Sequence, residues 1–184
     1  MYNFIGNSKH SPIPKRKPFV IIQMGQVRTG TTFLINLLYG FLCPNEPIHG
    51  VWTEEDPLIP FGRVSIFKTH MLDTEYFINK YSHLYDFLFI VTERNQTLSF
   101  KHRVIKVQFV EVNETPILSI DQIVKKMYLK LQPAIPVPLN IVAGKQRILD
   151  MNRLYETIRE KPFEYIDTFY HIHGHHRHGH RDKS

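Results

Sequence analysis

Residues 19–42 read FVIIQMGQVRTGTTFLINLLYGFL, and no other stretch restricts the possible folds of this chain so strongly. Phe19 to Met24 is an apolar run broken only by Gln23, the pattern of a short parallel strand buried on both faces. Beyond it, Phe33, Leu34, Leu37, Leu38 and Phe41 recur at helical spacing and form one wide apolar face. Between the two lies Gly25-Gln26-Val27-Arg28-Thr29-Gly30-Thr31-Thr32, whose glycines let a ligand come close to the backbone. A strand that passes through such a turn into a helix aims backbone N–H groups and the positive end of the helix dipole at one place. The predicted element is a phosphate-binding loop. It differs from a nucleotide triphosphatase loop: Thr31 stands where a lysine would follow the second glycine, and the cation, Arg28, lies inside the turn.

The rest of the chain alternates strand and helix patterns. RVSIFKTH is a second strand, and a short helix is expected around DTEYFINKYS. YDFLFIVTER is a third strand, and VIKVQFVEV, rich in β-branched residues, a fourth. LSIDQIVKKMYLKLQ reads as a helix with Ser119 or Asp121 as N-cap. A link containing Pro133, Pro136 and Pro138 precedes a last helix near GKQRILDMNRLYETIRE. The alternation predicts an α/β class chain: a three-layer P-loop-type fold with a central, mainly parallel sheet flanked by helices. Residues 1–17 are expected to be a flexible basic arm, 18–170 the α/β domain with a long loop over 44–62, and 171–184 a histidine-rich tail.

Composition narrows the function classes. The 184 residues suit one domain with a real core, and 42% apolar with 22% charged residues is ordinary for a globular chain. The net charge of +6 and pI near 9.4 favour an anionic ligand. Basic residues crowd both ends (Lys15, Arg16 and Lys17 at the start), so nucleic acid is a weak expectation. The single cysteine, Cys43, excludes a fold built on intramolecular disulfides. No apolar run approaches the roughly 20 residues that span a bilayer. The N-terminal residues lack the apolar core of a signal peptide, so a cytoplasmic location is expected and the sequons at Asn95 and Asn113 carry little meaning.

In a parallel sheet, ligands bind where the carboxyl ends of the strands gather. Strand two ends in Lys68-Thr69-His70 and strand three in Glu93-Arg94-Asn95. Lys68 and His70, two apart on an extended segment, are expected on one side. One sheet edge thus collects a phosphate cradle, a candidate base and several cations.

At this point the chain resembles a family. GQVRTGTTFL is similar to the 5′-phosphosulfate loop of sulfotransferases that use 3′-phosphoadenosine 5′-phosphosulfate (PAPS). FKTH resembles the segment carrying their catalytic histidine, and VTERN the strand end that begins their 3′-phosphate motif. The three occur in family order within residues 19–115. The resemblance implies PAPS as donor substrate, no required metal, and a small-molecule or carbohydrate acceptor presenting a hydroxyl or amine. It implies that Arg28 contacts the 5′-phosphate and bridging oxygen, with Thr29, Gly30, Thr31 and Thr32 completing the cradle. Lys68 and His70 match the lysine–histidine pair, His70 being the general base, and Arg94 matches the arginine on the 3′-phosphate. The chain departs from the pattern in three places. His102 stands where a serine usually follows that arginine by eight residues, with Ser99 nearby as a substitute. Gln96 replaces a proline, and VAGKQR (Val142 to Arg147) is the nearest match to the C-terminal loop that closes over the 3′-phosphate.

The implied chemistry accounts for the displaced cation. A triphosphatase lysine serves β- and γ-phosphates beside magnesium. A donor with one 5′-phosphate and a sulfuryl group needs its cation at the bridging oxygen, where a forked guanidinium fits. Two alternatives stand beside it: a P-loop phosphotransferase with a degenerate loop, which would need a strand-end carboxylate for magnesium, and a non-catalytic nucleotide- or anion-binding module. In the C-terminal segment, Phe163, Tyr165, Phe169 and Tyr170 are expected as core or as a cap on the sheet edge. The histidines are expected to be a solvated tail, with a minority role for His173, His176 and Arg177 at the nucleotide's phosphates.

Overall fold

In the computed structural model, which describes residues 16–42, 53, 57–59, 64–113, 118–159, 166–167 and 169–173, four strands form one parallel sheet. These are β1 (Phe19–Gly25), β2 (Val64–Thr69), β3 (Asp86–Glu93) and β4 (Val104–Gln108), in the order β2-β1-β3-β4. Register follows directly: Gln23 lies beside Lys68 on one side and Ile90 on the other, and Gly25 beside Thr92. The α/β class with a parallel sheet and flanking helices is as expected.

Strand alternation divides the core into two layers. Ile21, Ile66, Ile90 and Val107 point to one face, covered by α1 (Thr31–Leu42), α4 (Ile120–Leu131) and α5 (Ile141–Arg159). Val20, Ile22, Met24, Phe67, Phe89 and Val91 point to the other, covered by α2 (Thr74–Tyr81) through Phe77 and by the buried Leu58. Each change of direction along the sheet comes with a change of face. The chain runs from β1 to β2 by way of α1, then returns past β1 to β3 by way of α2, as right-handed crossovers demand. The link from β3 to β4 has no helix. Leu98 and Phe100 lay residues 94–103 onto the α2 face instead.

Local signals set most helix ends. Asp73 caps α2 by accepting from the Tyr76 N–H at 3.1 Å. Ser119 and Gln122 form a reciprocal capping box at the start of α4, which selects Ser119 over Asp121 as the cap. Helix α1 is buried almost all round, from Leu34 to Phe41, rather than along one face, because the sheet and α5 enclose it. Where α1 and α5 cross, a Cβ on Gly144 would lie 2.3 Å from the Phe41 ring, so only glycine permits this approach. VAGKQR, the nearest match to the nucleotide-closing loop, forms the opening turns of α5.

The expected fourth strand is corrected in its second half. Only Val104–Gln108 pairs with β3; Phe109–Val112 coils into a helical turn, α3. Glu111 explains the switch: its carboxylate accepts the Gln108 N–H at 2.7 Å and binds Lys130 at 2.9 Å and Lys126 at 3.3 Å, which ties the turn to α4. These partners together hold the Glu111 carboxyl below its ordinary range although burial pushes it up.

Past α5, β5 (Ile166–Asp167) and β6 (Ile172–His173) form a small antiparallel hairpin. Its anchor is Arg147 of α5, which is buried, donates through Nη2 to the Phe169 carbonyl and through Nε to Asn36 at 3.2 Å, and lies among the rings of Tyr39, Phe169 and Tyr170. Phe169 and Tyr170 thus cap the helical layer, and Ile172 continues the core beyond them. Burial holds the Arg147 guanidinium below its usual pKa and pushes the Tyr170 hydroxyl up. The arm before residue 16, most of the 44–62 loop, Phe163, Tyr165, His176 and Arg177 lie outside the described residues, as does the side chain of His173.

Candidate functional site

The direction of the sheet's connections reverses between β1 and β3, and the crevice at their carboxyl ends is where an open parallel sheet binds ligands. The glycine loop sits there. Arg28 adopts φ 64° and Gly30 φ 90°, two left-handed residues that fold the loop back over the strand ends. A Cβ on Gly30 would lie 2.7 Å from Val112 Cγ2, so α3 packs hard against the loop. The first helical hydrogen bond of α1 runs from the Leu34 N–H to the Gly30 carbonyl at 3.0 Å. The N–H groups of Thr31, Thr32 and Phe33 therefore have no partner within the helix and carry its positive end.

The loop's own side chains brace it. Thr29 is buried, donates to the Gln26 carbonyl at 2.7 Å and lies 2.7 Å from the Thr92 hydroxyl. A hydroxyl has one proton, so Thr92 donates to Thr29. Thr29 thus contributes loop shape through its hydroxyl and leaves its backbone to a ligand. Thr31 is buried, Thr32 half-buried, and the Arg28 side chain exposed.

Two strand-end residues converge on this loop. His70 is exposed, and its Nδ1 lies 2.7 Å from the Gly25 carbonyl oxygen. A carbonyl only accepts, so Nδ1 carries the hydrogen and the lone pair of the neutral ring sits on Nε2. Arg94 donates through Nη1 to the Arg28 carbonyl at 3.3 Å, and its guanidinium lies 4.2 Å from the centre of the Phe109 ring. The next residue, Asn95, turns left-handed at φ 57°. Glu93, just before, is buried and points to the opposite face, where it accepts from Leu98 N–H at 2.9 Å, Gln108 Nε2 at 2.7 Å and Lys106 at 3.0 Å. Burial alone would raise the Glu93 carboxyl, and these donors together hold it below its ordinary value.

Other expected site residues stand apart. Lys68 shares a sheet face with His70, yet it is only 3% exposed and lies in register beside Gln23. Burial lowers its pKa to about 8. The neighbouring Gln23 Oε1 is buried, with no hydrogen-bond partner among the described residues. Ser99 is exposed and His102 half-buried, and no hydrogen bond among the described residues joins either to Arg94 or Arg28. Phe109 had no motif to announce it, and Thr92 and Glu93 lie inside VTERN, where the resemblance gave a role to Arg94 alone.

The arrangement brings helix N–H groups, two exposed guanidinium groups and a histidine with Nδ1 turned to the glycine loop to one end of the sheet. Among the described residues no three His, Cys, Asp or Glu side chains gather as metal ligands. No helix of the described residues is long and apolar enough to cross a membrane. No protein-family model, curated protein or solved structure matches the chain.

Proposed function

We propose that this chain is a P-loop-type sulfotransferase that moves a sulfuryl group from PAPS to an acceptor hydroxyl. The observation that carries the reading is the His70–Gly25 hydrogen bond: it turns Nδ1 to the glycine loop and leaves Nε2 as the nitrogen that would act as base beside it. In this reading the helix N–H groups of Thr31 and Thr32 and the backbone of Thr29 and Gly30 hold the 5′-phosphate. The Arg28 guanidinium offsets the charge that grows on the bridging oxygen as the S–O bond breaks. His70 Nε2 takes the proton from the acceptor hydroxyl as its oxygen bonds to sulfur, a contribution of about 10²–10⁴-fold for general base help. Arg94 binds the 3′-phosphate, and Lys68, once drawn out of its buried position, completes the cationic lining.

Glu93 weighs against the phosphotransferase alternative. It is the strand-end carboxylate, and both of its oxygens are engaged on the far face of the sheet. Calorimetry with adenosine 3′,5′-bisphosphate against ATP–magnesium tests the reading. Preference for the bisphosphate is expected, and preference for ATP–magnesium overturns it. Bisphosphate binding with no transfer to any acceptor supports the binding-module alternative instead.

A further inference from the structure

We propose that Phe109 is a positioning residue that sets Arg94 to grip a second phosphate, and so gives the site its selectivity for a doubly phosphorylated nucleotide. The inference rests on the reading above, and it starts from a difficulty in that reading. Arg94 is an exposed, flexible side chain just past the end of a strand. A free arginine there loses substantial rotamer entropy when it fixes a ligand, which weakens its discrimination.

The structure removes that freedom at three points. The Arg94 guanidinium stacks on Phe109 at 4.2 Å, and its Nη1 is bound to the Arg28 carbonyl at 3.3 Å. The backbone on either side is constrained, Glu93 by three hydrogen-bonding partners and Asn95 by a left-handed turn. Phe109 is itself held. It is half-buried, begins the α3 turn that Glu111 ties to α4, and lies with Val112 against Gly30. One aromatic ring therefore lies beside both the glycine loop and the arginine. It fixes the distance between the place where a 5′-phosphate sits and the place where a second phosphate is met. A stacked guanidinium keeps its N–H edge free for an anion, since the ring occupies only its face.

A calorimetric series separates this role from ordinary packing. Wild type, Phe109→Leu, Arg94→Ala and the double variant are titrated with adenosine 3′,5′-bisphosphate and with adenosine 5′-monophosphate. Wild type is expected to prefer the bisphosphate. Phe109→Leu is expected to lose about threefold to tenfold in bisphosphate affinity, the scale of one cation–π contact, while monophosphate affinity stays within about twofold. Phe109→Tyr, which restores the stacking face, recovers the preference. In the Arg94→Ala background, Phe109→Leu has no further effect on the ratio. Equal losses for both nucleotides, or an additive double variant, overturn the positioning role. No bisphosphate preference in wild type overturns the sulfotransferase reading and the inference with it. Should Phe109→Leu fail to fold, Phe109→Met replaces it, being unbranched and able to fill the space beside Gly30 and Val112.

Discussion

His70 Nδ1 and the Gly25 carbonyl oxygen lie 2.7 Å apart, a contact between a strand-end side chain and the first residue of the glycine loop, 45 positions away in the chain. It orients the ring and decides which nitrogen is bare. His70→Ala is expected to lower sulfuryl transfer by about 10²–10⁴-fold and leave bisphosphate affinity within about twofold. Single-turnover assays beside calorimetry check both parts. Near-normal transfer in the variant would remove His70 from the reaction.

Arg28 combines a cation with a left-handed backbone, and two substitutions separate these. Arg28→Gly relieves the φ of 64°, whereas Arg28→Ala keeps it, so the glycine variant should be more stable by about 1 kcal/mol. Both should bind the bisphosphate more weakly by about tenfold, the scale of one charge-assisted hydrogen bond. Chemical unfolding ranks the first effect and calorimetry the second. Equal stability of the two variants would mean that the loop relaxes out of the left-handed conformation in solution.

Lys68 predicts a pH dependence of stability. Burial lowers its pKa to about 8, against an ordinary lysine near 10.5. Between those values the unfolded chain holds the proton that the folded chain has lost, so stability rises with pH across this window. Below about pH 8 the folded protein carries a buried ammonium, and Lys68→Met should be the more stable protein there, by on the order of 3 kcal/mol. The advantage should shrink as pH approaches 10.5. Urea unfolding of both proteins between pH 7 and 10 measures it, and a constant difference would show that the ammonium is solvated.

Glu93 behaves in the opposite sense. Its folded carboxyl is held below the ordinary value, so its contribution is complete above the usual carboxylate range and is lost as pH falls through the lower folded value. Glu93→Gln should cost about 1–3 kcal/mol at pH 7, and the gap from wild type should close in acid. The substitution should also loosen residues 94–103, which hydrogen exchange at Leu98 would report, since that N–H donates to the carboxylate. Unchanged protection at Leu98 would mean that the loop is held by Leu98 and Phe100 packing alone.

Much of the fold was legible in order along the chain. Phe19–Gly25 and Thr31–Leu42 fall where the apolar run and the helical spacing place them, and Ser119 with Gln122 announces the start of α4. Such signals are local: a strand buried on both faces needs a mostly apolar run, and a cap needs a hydroxyl at one position. The sequence by itself also determined the glycine loop with Arg28 inside it and the presence of His70 and Arg94 at strand ends. Only the tertiary structure decided how they are used. It turned Phe109–Val112 from strand to helix, because Glu111 finds its cations on a helix that comes later in the chain. It buried Lys68 beside Gln23 and left His70 exposed at the Gly25 carbonyl, since a sheet face that continues beneath a covering helix goes from dry to wet within two residues. It also brought Phe109 to Arg94 and Arg147 to the C-terminal hairpin. Contacts between distant segments depend on strand order, and strand order is a property of the packed sheet that no local pattern encodes.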